Sequence, residues 1–200
     1  MGLKHQKINI RGTAWGLLGC LAWGLLGDTE HELWLCLLFA ILTHELGHIV
    51  LSKLCHVPVT GLSLDLFGAR LQLDGMVSYG QEFFIALGGP LVNLLTAGVL
   101  YATLGEAVWQ DGGWVSTFFV ASMALAIFNL LPVGTMDGGR MLSAVLSCWW
   151  SPALADGVLK VTTGLFLAGL WLISGYALIT GAGMLSLFVF SLCFMVRVLG

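Results

Sequence analysis

Apolar residues gather into six runs separated by short polar breaks, approximately Gly12–Gly27, Leu33–Ser52, Phe83–Leu104, Trp114–Leu131, Val158–Thr180 and Ala182–Leu199. Each is long enough, or nearly so, to cross a hydrocarbon core of about 30 Å as a helix. The first is short and follows Lys4, Lys7 and Arg11, so a signal peptide is the competing reading, but no small-x-small cleavage site follows it. The longest break, Lys53 to Gln81, changes period. Leu62, Leu64 and Leu66 alternate with Ser63 and Asp65, and Leu71 and Leu73 alternate with Arg70, Gln72 and Asp74. Period two on both sides of Gly68 predicts an amphipathic β-hairpin over about residues 59–77, turning at the glycine. Its leucine-rich face suits a membrane surface. The pattern as a whole predicts an all-α polytopic membrane protein: a single membrane domain over residues 1–200, with about six transmembrane helices, one small membrane-associated hairpin and a C-terminal helix pair at about 158–199.

Composition agrees. The chain is 58% hydrophobic and 10% charged, whereas soluble domains are about 25% charged. Its 27 glycines suit helices whose backbones approach closely in lipid. A net charge of −3 without a basic patch excludes nucleic acid as a partner. Five cysteines without CxxC pairing read as small buried hydrophobes rather than a disulfide framework. With the N-terminus in the cytoplasm, all eight Lys and Arg residues fall on the cytoplasmic side. The C-terminus is then cytoplasmic too.

Into the second run the chain sets "HELGH", residues 44–48. An ionisable side chain at the centre of a spanning helix costs about 2.5–3.5 kcal/mol or more, so such residues mark function. His44 and His48 lie four residues apart and stack one turn apart on one helix face, where two imidazoles can hold one zinc ion. Glu45 lies about 60° from His48, near enough to act on water without being a ligand. A catalytic zinc has three protein ligands and an open position, so a third ligand is required. The cytoplasmic candidates are His56, Asp65, Asp74, Glu82, Asp137 and Asp156. The second span ends at the cytoplasmic boundary about 7 Å of helix rise beyond His48, and the fourth runs the same way and breaks at Pro132. "LPVGTMDGGR" therefore begins at the depth of the histidines, and Asp137 is the ligand selected. Gly138 and Gly139 would permit the sharp turns of a re-entrant loop. An N-cap role for Asp137 on the following helix is compatible with ligation. His56 reads as interfacial and His31 as part of a solvated outer loop.

One zinc ion per chain, Zn2+, would lower the pKa of its water and polarise a carbonyl. Glu45 would take the water's proton and return it to the leaving amine. The chemistry expected is peptide-bond hydrolysis in or next to a transmembrane segment. The alternative is a polytopic metal-handling protein or transporter using the same zinc site, although such proteins tend to show repeated halves and no internal repeat is visible here.

"HELGH" on an early span, "GGPLVN" on a middle one and "FNLLPVGTMDGGR" at the end of the next resemble the site-2 protease family of intramembrane zinc metalloproteases. The likeness runs from about Leu33 to Arg140, the family's three-helix catalytic core. It is most similar to the short bacterial branch that processes a membrane-bound sporulation sigma-factor precursor, where "LFGA"-like residues turn a membrane-associated hairpin. The resemblance implies that His44, His48 and Asp137 bind zinc and that Glu45 is the general base. It also implies that Asn129 positions substrate or stabilises the oxyanion, the alternative being that Asn129 caps the fourth helix. Gly89, Pro90 and Asn93 are expected to let the third span bend and pack. Gly134 and Thr135 stand where the family often has prolines. The implied partners are a single-span or membrane-associated protein substrate, the lipid bilayer and a membrane regulatory partner. The implied place is the bacterial cytoplasmic membrane, with release of a transcription or sigma factor as the outcome.

Overall fold

The computed structural model describes residues 31–65, 68–73, 75–110 and 112–180, together with Phe188, Ser191, Leu192, Phe194, Met195 and Val198. The run expected at Gly12–Gly27 lies outside the described residues, as does most of that at Ala182–Leu199. The elements in chain order are α1 (His31–Leu54), β1 (Val59–Asp65), β2 (Gly68–Leu73), α2 (Tyr79–Leu104), α3 (Ala107–Gln110), α4 (Trp114–Asn129), α5 (Asp137–Trp149) and α6 (Pro152–Ile179). Among the described residues, three helices are long and apolar enough to cross a membrane, namely Glu32–Leu54 within α1, α2 and α6. The chain is a membrane protein by that measure. At 16 residues, α4 is apolar but rises only about 24 Å.

α1 and α2 run antiparallel and cross where two glycines meet. A Cβ on Gly47 would strike the carbonyl oxygen of Gly88, and one on Gly88 would strike that of Gly47. Only residues without side chains permit this approach. It brings the polar stretch of α1 against the first half of α2. α2 starts at a reciprocal cap: Gln81 N–H donates to Ser78 Oγ at 3.3 Å, and Ser78 N–H donates to Gln81 Oε1 at 3.0 Å. Gln81 Nε2 also donates to Cys55 O at 3.1 Å, tying the start of α2 to the end of α1.

Between these helices β1 and β2 pair antiparallel, with Leu62 opposite Leu71, Ser63 opposite Arg70 and Asp65 opposite Gly68. Gly68 is thus the first residue of β2 rather than the turn. The connection falls at Leu66 and Phe67, which lie outside the described residues, as does Asp74. A register shift between Val59 and Gly61 marks a bulge.

α6 begins at Pro152, six residues before the apolar run at Val158. Ser151 Oγ accepts from Leu154 N–H at 3.2 Å and Pro152 supplies a preset first residue, so cap chemistry rather than hydropathy sets this end.

Candidate metal centre

The loop from Leu130 to Met136 delivers Asp137. Val133 and Met136 are buried against Phe194, with Phe128 and Phe166 packed around them. Gly134 N–H donates to Thr163 Oγ1 on α6 at 3.0 Å. Apolar packing and one hydrogen bond therefore fix the loop in place. Asp137 is the first residue of α5, and Met136 occupies the N-cap without a side-chain cap bond. The carboxylate is free of a capping duty and points to α1. Gly138 and Gly139 are helical rather than turning, and neither has a positive φ. Their role is close approach: a Cβ on Gly138 would meet the backbone of Leu130, and one on Gly139 that of Val133. The tight return packs α5 against its own entry loop.

Asp137 Oδ2 lies 3.0 Å from His44 Nε2 and 3.2 Å from His48 Nε2, and the two Nε2 atoms are 3.3 Å apart. His44 and His48 are each 4% exposed and Asp137 is 8% exposed. Donors about 2.0–2.2 Å from a tetrahedral zinc stand about 3.3–3.6 Å apart. The triangle of donors, at 3.0–3.3 Å, is a few tenths of an ångström tighter than one face of such a tetrahedron. The rings pack directly on Gly89, where a Cβ would lie 2.5 Å from both Nε2 atoms, so only glycine allows α2 to approach them. Three buried donors converging within reach of one another fit a metal ion.

The surroundings complete the cradle. His48 Nδ1 donates to Ile85 O at 2.7 Å, which leaves a lone pair on Nε2 for a metal. Asp137 Oδ1, the oxygen turned away from the histidines, lies 3.6 Å from Arg140 Nη1, and Arg140 Nε lies 3.9 Å from Glu82 Oε1. Glu82, a sequence candidate for ligation, is therefore spent on Arg140, while His56 and Asp156 are exposed. Among the described residues, His44, His48 and Asp137 form the group able to hold a metal. Glu45, half-buried, follows His44 directly on α1. Asn129 ends α4, where its Nδ2 donates to Leu125 O at 2.9 Å, and Leu130 is the C-cap.

Sequence reasoning missed Asn93. Assigned to bending and packing, it is fully buried with its amide 3.4 Å from His44 Nδ1. The signal was available in its spacing, because residues 85, 89 and 93 lie one turn apart and share a face of α2.

Two donors on one membrane-length helix and a third at the start of α5, entered from a packed loop, define a helical membrane protein with a buried His-His-Asp cluster able to hold a metal. Residues 32–110 and 105–172 match Peptidase family M50, and the chain belongs to that family. It is 35% identical over 119 residues to the putative zinc metalloprotease Rip3 of Mycobacterium tuberculosis, covering 55% of this chain and 30% of that protein. It is 30% identical over 145 residues to stage IV sporulation protein FB of Bacillus subtilis, covering 70% of this chain and 48% of that one. The chain thus spans less than half the length of these relatives. The fold is shared with the site-2 protease from Methanocaldococcus jannaschii, at a TM-score of 0.67 and 22% identity over 96% of this chain and 89% of that one.

Proposed function

We propose that this chain is a zinc-dependent intramembrane endopeptidase. It would hydrolyse a peptide bond in or beside a transmembrane segment of a single-span or membrane-associated protein. The donor triangle of 3.0, 3.2 and 3.3 Å carries the reading, and family membership supports it. The catalytic core is assigned to about residues 33–140, within a single domain of about six spans in the bacterial cytoplasmic membrane with both termini inside. The site then opens near the cytoplasmic face, and its products include a released cytoplasmic fragment such as a transcription or sigma factor.

His44 Nε2, His48 Nε2 and Asp137 Oδ2 are the atoms that would hold zinc. Zinc there supplies a Lewis acid that activates water near neutral pH and polarises the scissile carbonyl. Glu45 accepts the proton of the attacking water and returns it to the leaving amine. Asn129 keeps one amide N–H beyond that given to Leu125 O, and we assign this donor to the substrate carbonyl. Burial of the three ligands excludes bulk water and strengthens each polar contact made there.

A helical substrate hides its peptide bonds within its own hydrogen bonds, so the scissile segment must unwind. Among the described residues β1 and β2 form a two-stranded ladder, to which an extended segment would add as a further strand, gaining backbone hydrogen bonds with little sequence dependence. Leu71→Pro is expected to abolish cleavage while zinc stays bound. Unchanged cleavage would remove the hairpin from substrate binding.

The decisive test uses purified protein and a single-span substrate. One zinc per chain is expected, with cleavage lost on chelation and restored by zinc. A metal-handling protein built on the same site would hold zinc and cut nothing.

A further inference from the structure

The side of α2 that meets the histidines is made by Ile85, Gly89 and Asn93, one turn apart. The central position carries no side chain, and each flanking one engages the outer nitrogen of one ring. Ile85 O accepts from His48 Nδ1. At the other end, Asn93 Nδ2 lies 3.4 Å from His44 Nδ1 and Asn93 Oδ1 lies 3.1 Å from Thr43 Oγ1. Thr43 Oγ1 is also 3.0 Å from both Phe39 O and Ala40 O. Asn93 is 0% exposed, so each of its polar atoms must be satisfied by protein.

Resting on the zinc-site reading, we propose that Asn93, anchored by Thr43, is the positioning residue that fixes His44 for metal binding, its amide oxygen taking the Nδ1 proton. A neutral imidazole offering a lone pair from Nε2 carries its proton on Nδ1. That N–H requires an acceptor, and the Asn93 amide is the group beside it. A half-turn about the last side-chain torsion exchanges oxygen and nitrogen within the same outline, so hydrogen-bond partners decide which end faces the ring. With Oδ1 toward His44, both ends of the amide and the ring N–H have partners. His44 Nδ1–H donates to Asn93 Oδ1, Asn93 Nδ2 donates to Thr43 Oγ1, and Thr43 O–H donates to Phe39 O or Ala40 O. With Nδ2 toward the ring, Nδ1 must carry the lone pair. The ring proton then sits on Nε2, directed at Asp137 Oδ2, where a cation would have to displace it. The amide therefore selects between a ring that binds metal and one that blocks it. Both imidazoles take their orientation from α2, one from a backbone oxygen and one from a side chain.

Zinc affinity of the purified full chain, measured by chelator competition, tests the assignment. Asn93→Leu keeps the bulk and loses the acceptor, so affinity should fall about 10–100-fold, the usual cost of losing a group that orients a ligand. Asn93→Asp keeps an acceptor oxygen and should stay within a few-fold of wild type. Thr43→Val leaves the amide unanchored and should lose affinity several-fold. Equal weakening in Asn93→Leu and Asn93→Asp would reduce Asn93 to packing and overturn the proposal, as would wild-type affinity in a folded Asn93→Leu. Should Asn93→Leu not fold, the isosteric Thr43→Val decides, and wild-type affinity there overturns the relay. A wild-type chain that binds no zinc overturns the metal site itself, a different result from zinc binding that ignores Asn93.

Discussion

Replacing Glu45 by glutamine is expected to leave one zinc bound per chain and to lower cleavage of a single-span substrate by about 10²–10⁴-fold, the usual contribution of general acid–base catalysis. Glutamine has the shape of glutamate and cannot take a proton at neutral pH. Glu45 is not among the three converging donors, so metal affinity should be nearly untouched. A zinc titration run beside the cleavage assay reads both quantities on one preparation. Loss of zinc in Glu45→Gln would make Glu45 a ligand or a structural support. Retained turnover would require another base. A carrier or storage protein has no turnover to lose, so the pairing of intact metal with lost cleavage separates an enzyme from either.

The two histidines were legible in the sequence because helix periodicity is local: residues four apart share a face whatever else the chain does. Asp137 was legible for a less local reason. Lipid imposes a common depth scale on spans, the second and fourth run the same way, and a break at Pro132 put the aspartate level with His44 and His48. The features that sequence reading got wrong depend on which surfaces meet, on strand pairing or on local cap chemistry. Gly138 and Gly139 looked like turn residues, but their positions are helical and crowded by the carbonyls of Leu130 and Val133. Gly68 looked like the hairpin turn because glycine is the commonest residue there, yet backbone pairing of Asp65 with Gly68 moves the turn back by two positions. Asn93 could be placed on a face of α2, but that face acquires meaning only once Gly47 and Gly88 let the helices touch. The start of α6 was displaced because hydropathy does not register a serine cap followed by proline.

Gly89→Ala should remove zinc and cleavage together. The added Cβ would lie 2.5 Å from His44 Nε2, 2.5 Å from His48 Nε2 and 2.6 Å from His44 Cε1. All three distances are far below van der Waals contact, so the two rings cannot keep their present positions beside an alanine. The methyl group would therefore press on the rings themselves, and relief requires either the helices or the imidazoles to move. Relief by separating α1 from α2 would open the Gly47–Gly88 crossing, and overpacking of that kind costs typically about 1–3 kcal/mol. Relief by swinging the rings would break the bond from His48 Nδ1 to Ile85 O. Either response dismantles the triangle of donors. Gly98→Ala is the matched control, for it lies on the same helix with nothing within 4 Å of an added Cβ. Both substitutions raise helix propensity alike, by about 0.8–1.0 kcal/mol, so a difference between them isolates the space beside the histidines. Zinc content and substrate cleavage should be at wild-type level in Gly98→Ala and absent in Gly89→Ala. A Gly89→Ala protein that binds one zinc with wild-type affinity would show that the metal does not sit between His44 and His48 beneath α2.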